Sequence, residues 1–267
     1  MTALDPPPDD FAKLTLVTTE VAPAFLLRLA SARHLSGDPF RRSALYRFDS
    51  PDDSFGVFYA AFDLETAFVE SIVRARAHPL PAGEPLLIDY LTLASRHVVT
   101  LAVSSPTRSL HLAQLYGAGL SAARTDNRIA TVDDYGTTRR WAKAFHAHPE
   151  RIDGIVYMSR YLGDHRSVVL FDRARDAIAF NNPLPLLHHP ELAQLLDTYH
   201  VSLAPPRGKK NQKRNKEEEK KATEGDGNQN NPRAAQPRVM ASASPHFWCQ
   251  NIRWEMPEFI GRARATQ

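Results

Sequence analysis

Four polar residues stand in or near apolar segments of the chain, and their side-chain types can do chemistry. Arg47 leads into the turn-rich run "FDSPDDS", Tyr59 lies in the apolar run "FGVFYAAF", Glu70 follows on the next predicted helix, and Ser159 ends the run "GIVYMS". A guanidinium group binds anions, and carboxylates and hydroxyls accept or donate protons. A fold that brings these four side chains together would place them at one site.

Each of the four residues also has a purely structural interpretation. The arginine could pair on the surface with Asp49 or Asp52, and the tyrosine could be a core aromatic whose hydroxyl reaches the rim. The glutamate could form an exposed i,i+4 pair with Arg74, and the serine could simply end a strand. Taken singly, each residue favours the structural interpretation, so only their combination points to a site.

Apolar runs and helical periodicity predict a mixture of strands and helices. Strands are expected over 55–62, 154–159 and 166–172 and within "EPLLIDYLTL" and "RHVVTLAV", and helices over 64–76, 107–120, 135–147 and 190–200. Asp63 is expected to cap the helix that carries Glu70. Because the order lacks a strict βαβ alternation, the predicted class is α+β.

Composition divides the chain into a globular part and a polar part. The 267 residues are 43% hydrophobic and 24% charged, which is typical of a globular protein. Residues 207–238 contain almost no large apolar side chains and are expected to be disordered. We therefore expect an N-terminal extension over 1–24, a folded domain over 25–206, a linker over 207–238 and a tail with two tryptophans over 239–267.

Positive charge is concentrated in one run near the end of the chain. Residues 207–221 contain eight Lys or Arg and three Glu, so the rest of the chain has a net charge of −2 although the whole has +3. The body is therefore not expected to bind nucleic acid. The run is interpreted as a solvated linker, with a weak contact to RNA, DNA or an acidic partner as the alternative.

Several classes of function are disfavoured by motifs that the sequence lacks. It contains no GxGxxG or GxxxxGK[ST] phosphate loop, no GxSxG and no HExxH. His146 with His148, and His188 with His189, lack the i,i+4 spacing and cysteine partners of a metal site, so no metal is predicted. The chain has no run of 18 apolar residues, so no membrane contact is expected. It has no secretory signal and only one cysteine, Cys249, so it is expected to be cytoplasmic.

Taken together, the run "YRFDSP…FGVFYAAFDLETAFVES" followed by "DGIVYMSR…VVLF" resembles the RES domain family over about residues 25–175. That family is named for its Arg, Glu and Ser residues and includes the toxins of RES–Xre toxin–antitoxin pairs. By this resemblance, Arg47 is the family arginine, Tyr59 the tyrosine after it, Glu70 the helix glutamate and Ser159 the serine. The family arginine often lies between Gly and Trp, whereas a tyrosine and a phenylalanine flank it here.

The resemblance implies an ADP-ribosyltransferase-like α+β fold, with a split β-sheet core surrounded by helices and a cleft that binds NAD. RES toxins are similar to enzymes that break the nicotinamide–ribose bond and deplete cellular NAD, with water or phosphate as the acceptor. NAD is then a substrate, phosphate a possible second substrate, and no cofactor is required.

The same resemblance implies a role for each site residue. Arg47 would bind the pyrophosphate, and Glu70 would stabilise the oxocarbenium-like ribose. Tyr59 would pack on the nicotinamide and form a hydrogen bond through its hydroxyl, and Ser159 would hold the ribose or the amide. Arg47, Tyr59 and Glu70 are therefore the predicted catalytic residues, and Arg47, Tyr59 and Ser159 the predicted substrate-binding residues.

Two other functions remain open at this point. One is an ADP-ribosyltransferase that modifies a macromolecule. It is disfavoured because the predicted domain has no Glu-x-Glu or Gln-x-Glu motif, only Glu65 and Glu70 on one helix. The other is a non-catalytic binding module that keeps the fold.

Since an NAD-degrading enzyme would harm its own cell, an Xre-type antitoxin protein is the expected partner.

Overall fold

The computed structural model describes residues 3–74, 83–104 and 108–204, all of which belong to one compact unit. The predicted linker over 207–238 and the predicted tail over 239–267 lie outside the described residues. In the described part, strands and helices are mixed along the chain and share a common core, which confirms the α+β prediction.

Among the described residues, nine strands form one mixed sheet and two more form a separate pair. In chain order the strands are β1 (Thr18–Val21), β2 (Leu27–Ser31), β3 (Val57–Ala61), β4 (Leu86–Asp89), β5 (Arg96–Val103), β6 (Leu110–Leu115), β7 (Gly154–Met158), β8 (Arg166–Phe171), β9 (Ile178–Phe180), β10 (Leu184–Pro185) and β11 (Val201–Ala204). The order across the main sheet is β1-β6-β7-β8-β3-β2-β5-β10, and β9 also pairs with β5. Only β6 and β7 are parallel within this described sheet, and β4 pairs in parallel with β11.

The helices are short, with the exception of one that covers the sheet. They are α1 (Leu64–Phe68), α2 (Tyr90–Ala94), α3 (Ala118–Ala122), α4 (Arg128–Thr131), α5 (Tyr135–Ala147) and α6 (Leu192–Thr198). A π-helical turn, Val69–Val73, continues α1. Asp63 caps α1 as predicted, since its Oδ1 accepts a hydrogen bond from the Thr66 N–H at 2.6 Å.

Strand β3 is buried on both faces, as its nearly continuous apolar run predicts. Val57 lies in a core cluster with Trp141 and Phe145 of α5. Phe58 points to the other face, where it packs in a cluster with Leu170 of β8. The strand that carries Tyr59 is therefore anchored from both sides.

The main sheet opens between β2 and β3. These strands pair in register only at Leu27 and Ala61 among the described residues, whereas β2 pairs with β5 at five positions and β3 with β8 at five. The strands therefore diverge after this single pair.

Two predicted elements are wrong in type. Residues 110–115 are the strand β6 and not part of a helix over 107–120, because β6 pairs with β1 on one side and β7 on the other. Gly117, at φ 52°, then turns the chain into α3. The predicted strand "EPLLIDYLTL" ends at Asp89, whose side chain accepts a hydrogen bond from the Leu91 N–H at 2.8 Å and starts α2.

Residues 3–24, predicted as an extension, contribute to the same compact unit. Strand β1 pairs with β6 in the main sheet. Phe11 packs edge-on against Trp141 with ring centroids 5.4 Å apart, and the indole N–H of Trp141 donates to the Asp5 carbonyl at 2.9 Å. These contacts join the first residues of the chain to the face covered by α5.

Candidate active site

A cavity of about 730 Å³ opens where β2 and β3 diverge. Three of the four predicted site residues, Arg47, Tyr59 and Glu70, line it, and Ser159 does not. Other aromatic side chains on its walls are Tyr46, Tyr135, Tyr157 and Tyr161. The volume is in the range of small-molecule sites.

Glu70 is held at the cavity wall through both of its carboxylate oxygens. Oε1 accepts hydrogen bonds from the Ser159 hydroxyl at 2.7 Å and from the Arg160 N–H at 3.2 Å. Oε2 lies 3.6 Å from Nη1 of Arg74, so the i,i+4 pair considered as the structural interpretation is also present. Glu70 lies in the π-helical turn, a distortion that is frequent at functional sites. The carboxylate is thus fixed in orientation while its side chain stays 20% exposed.

Ser159 contacts Glu70 and is itself buried. Its hydroxyl oxygen accepts weak hydrogen bonds from the Tyr161 and Leu162 N–H groups, both at 3.3 Å, as the chain turns out of β7. Ser159 is 4% exposed and does not line the cavity, so its contact in this structure is with Glu70 at the cavity wall. Its predicted contact with a substrate stays a prediction.

Arg47 is 9% exposed and is tied to the end of α4. Its Nη1 donates to the Val132 carbonyl at 2.6 Å and to the Ile129 carbonyl at 3.4 Å, where the helix leaves carbonyls without intrahelical partners. Its guanidinium lies 4.9 Å from the centroid of the Tyr135 ring. Burial lowers the pKa of Arg47, yet an arginine stays charged. Among the described residues, its Nη2 and Nε make no hydrogen bond, so they are free to bind an anion.

The resemblance implies that Arg47 binds the pyrophosphate of NAD, and on that expectation Arg47→Ala should raise the KM for NAD about tenfold or more, because a charge-assisted hydrogen bond contributes roughly 1.5–3 kcal/mol. Steady-state kinetics will measure this change. Arg139→Ala is the matched control, since Arg139 lies 5.9 Å from the same Tyr135 ring and does not line the cavity. Equal KM values for the two variants would show that Arg47 does not bind the substrate.

The hydroxyl of Tyr59 holds the loop that carries Arg47. It accepts a hydrogen bond from the Phe48 N–H at 2.9 Å and donates to Oδ1 of the fully buried Asp49 at 3.0 Å. Burial, with the Asp49 charge as the next cause, raises the pKa of Tyr59 well above its ordinary value, so the hydroxyl remains a donor. Oδ2 of Asp49 accepts from the Ser43 hydroxyl and from the Leu45 and Tyr46 N–H groups. Only the ring of Tyr59 therefore remains for a ligand.

Tyr59→Phe should lower stability, because Asp49 and the Phe48 N–H would each lose a partner in a buried setting. An unpaired buried polar group costs about 1–3 kcal/mol, and each kcal/mol lowers Tm by about 2–4 °C in a chain of this size. Thermal unfolding followed by circular dichroism will measure the loss. Tyr116→Phe, which removes an exposed hydrogen bond to Arg166, should change Tm by much less. A lower kcat with an unchanged Tm in Tyr59→Phe would instead assign its hydroxyl to the substrate.

The side chains that line the cavity carry more positive than negative charge. Among the described residues, seven arginines line it against two carboxylates, Asp49 and Glu70. The arginines are Arg28, Arg33, Arg41, Arg47, Arg74, Arg96 and Arg160. Sequence reasoning found only Arg47, although the density of arginine in "RLASARHLSGDPFRR" was a usable signal.

Metal ligands and membrane-spanning helices are not found in the part of the chain that the structure describes. The described residues contain no group of three or more His, Cys, Asp or Glu side chains placed to hold a metal ion. None of the described helices combines the length and the apolar character needed to cross a bilayer.

The fold and the site define an α+β protein with a cationic cleft and a fixed carboxylate at its wall. The profile of the RES domain family matches residues 25–193, more than half of the chain, and the chain therefore belongs to the RES domain family, as predicted. It is 30% identical over 112 residues to "Probable toxin y4kH" of Sinorhizobium fredii (strain NBRC 101917 / NGR234), covering 42% of this chain and 87% of that protein. It also matches a solved structure, the M. tuberculosis MbcT–MbcA toxin–antitoxin complex, with a TM-score of 0.44 and 15% identity over 70% of this chain and 98% of that chain.

Proposed function

We propose that this chain is a RES-type toxin that cleaves the nicotinamide–ribose bond of NAD. Membership of the RES domain family and the relative named as a probable toxin support the toxin part of this proposal. The observation that carries the chemical part is the fixed carboxylate of Glu70 on the wall of an otherwise cationic cavity.

The charges of the cavity suit the charges of NAD. The pyrophosphate is an anion, and Arg47 supplies guanidinium donors that no described residue occupies. The nicotinamide ring is flat, and the tyrosine rings on the cavity walls offer surfaces for stacking. In this arrangement the nicotinamide riboside lies at Glu70 and the pyrophosphate lies at Arg47.

Cleavage in this pose follows from the position of Glu70. The bond between C1′ of the ribose and the pyridinium nitrogen breaks, and its electron pair leaves with nicotinamide as a neutral product. The ribose then carries oxocarbenium-like positive charge, which the Glu70 carboxylate stabilises more strongly in the transition state than in the ground state. Water or phosphate adds to C1′, and water loses a proton in doing so.

Ser159 and Arg160 contribute by holding Glu70. The serine hydroxyl and the Arg160 N–H both donate to Oε1, so the carboxylate needs little reorganisation as the charge develops. An ion pair at 2.5 Å between Arg160 and Asp133 links this segment to the loop before α5.

The cell must restrain such an activity, and we propose an Xre-type antitoxin that covers the cavity and excludes NAD.

The test is product analysis with purified protein and NAD, with and without phosphate. Free nicotinamide with ADP-ribose indicates water as the acceptor, and free nicotinamide with phosphorylated ADP-ribose indicates phosphate. Transfer of ADP-ribose label to a protein or nucleic acid would mark a macromolecular transferase instead. Absence of turnover under all conditions would leave a non-catalytic module.

A further inference from the structure

The arginines of the cavity are divided between two ends. One, here called the cationic end, consists of Arg28, Arg33, His34, Arg41 and Arg96. The other is the Glu70 end, with Arg47, Arg74 and Arg160. Tyr46 also lines the cavity, and the guanidinium of Arg74 at the Glu70 end lies 5.8 Å from the centroid of its ring.

Three backbone segments bring the cationic end together. Arg28 lies on β2, and Arg96 begins β5 in register with Ser31 at the end of β2. Arg33 belongs to the 3-10 turn that follows β2, Ala32–His34. The Arg41 backbone bridges to Val57 of β3 through two hydrogen bonds of 2.9 Å. The sheet itself therefore sets the spacing of these side chains.

The two ends differ in how their charges are balanced. At the Glu70 end, Arg74 pairs with Glu70 and Arg160 pairs with Asp133. Within the described ranges, no arginine of the cationic end has a carboxylate within 4.0 Å. Asp38, the nearby acid, is already held by two hydrogen bonds from Arg175, at 2.8 and 2.9 Å.

Burial and neighbouring positive charges both lower the pKa of arginines at the cationic end. Burial and then the charges of Arg41 and Arg96 lower the pKa of Arg28 to about 10. Burial and then Arg33 lower the pKa of Arg96, whose buried Nε has no hydrogen-bond partner among the described residues. An anion with several acceptor oxygens would reduce the repulsion among these arginines and accept hydrogen bonds from them.

We propose that the cationic end binds the 2′-phosphate of NADP, so that this chain cleaves NADP in preference to NAD. The inference rests on the proposed function, which places the nicotinamide riboside at Glu70. The 2′-phosphate is on the adenosine ribose, in the half of the dinucleotide that lies away from nicotinamide. It carries about −1.5 to −2 charges at neutral pH, and arginine is the residue that accommodates it in dinucleotide sites.

The number of arginines that line the cavity favours NADP over NAD as the ligand. The pyrophosphate carries one negative charge on each phosphate, and the unpaired donors of Arg47 at the Glu70 end already face that group in the proposed pose. The four arginines of the cationic end would then have no anion in an NAD complex. A phosphate monoester supplies three oxygens, enough to accept hydrogen bonds from Arg33, Arg41 and Arg96 together.

The experiment compares kcat/KM for NADP and NAD in the wild-type chain and in Arg41→Gln and Arg33→Gln. We expect NADP to be favoured about tenfold or more in the wild type, and each variant to lose about tenfold more for NADP than for NAD. Arg42→Gln is the matched control, because this neighbouring arginine pairs with Asp172 at 2.9 Å and does not line the cavity. It should leave the NADP to NAD ratio unchanged.

Binding measurements keep the inference testable if no turnover occurs. Calorimetric titration with adenosine 2′,5′-bisphosphate should give an affinity about tenfold or more above that of adenosine 5′-monophosphate, with the difference lost in Arg41→Gln. That result without cleavage would reject the proposed function and keep the phosphate site. Equal kcat/KM for NADP and NAD, with both lowered alike in Arg33→Gln and Arg41→Gln, would instead assign these arginines to the pyrophosphate and overturn the inference.

Discussion

Replacing Glu70 by glutamine is expected to lower kcat for NAD cleavage by about 10²–10³-fold while KM changes little. The substitution keeps the size of the side chain and an oxygen that can accept from Ser159, but it removes the negative charge that we propose stabilises the oxocarbenium-like ribose. Preorganised electrostatic groups of this kind contribute about 2.7–4 kcal/mol to a transition state. Because the interaction strengthens in the transition state, the loss falls on kcat.

Glu65→Gln is the matched control for this prediction. Glu65 lies on α1, five residues before Glu70, accepts a hydrogen bond from the Tyr199 hydroxyl at 2.7 Å and does not line the cavity. It should keep kcat within about twofold, as expected for a surface substitution of less than about 0.5 kcal/mol. Full activity in a folded Glu70→Gln protein would assign Glu70 to its structural contacts with Arg74 and Ser159.

Expression of the wild-type chain in cells that lack an antitoxin should arrest growth and lower the cellular NAD pool. Expression of Glu70→Ala at the same level should allow growth with NAD near its normal level. The large difference follows because an enzyme turns over and one active molecule removes many NAD molecules, so even low expression suffices. Growth curves with a parallel NAD assay will measure it. If both strains grow equally with equal NAD, the toxin function is rejected in favour of a non-catalytic module.

The elements that depend only on a few neighbouring residues could be predicted from the sequence. The apolar run around Phe58 predicted β3, and Asp63 predicted the start of α1, because a two-sided buried strand and a helix cap are each encoded within a few residues. Strand β6 was misread as a helix because a short apolar segment suits both structures, and only its pairing with β1 and β7 decides between them.

Three of the four predicted residues line one cavity, but the contacts among the four could not be predicted from the sequence. Glu70 and Ser159 are 89 positions apart, so no local pattern indicates that the serine holds the glutamate, and only the family order placed them at one site. The contacts of the Tyr59 hydroxyl with Asp49 and the Phe48 N–H could not be predicted for the same reason, since they form only once the loop folds back. The four arginines of the cationic end come together through the pairing of β2 with β5 and of Arg41 with Val57, which composition alone does not specify.

The most direct test is a proton NMR time course of NAD with the purified wild-type chain. It follows the anomeric proton of the nicotinamide ribose and the ring protons of nicotinamide in one sample. We expect the anomeric signal of NAD to decay as free nicotinamide appears, one for one, and the Glu70→Gln protein to slow both changes together. Appearance of nicotinamide mononucleotide with adenosine monophosphate, or an unchanged NAD spectrum at high enzyme concentration with and without phosphate, would contradict cleavage of the nicotinamide–ribose bond.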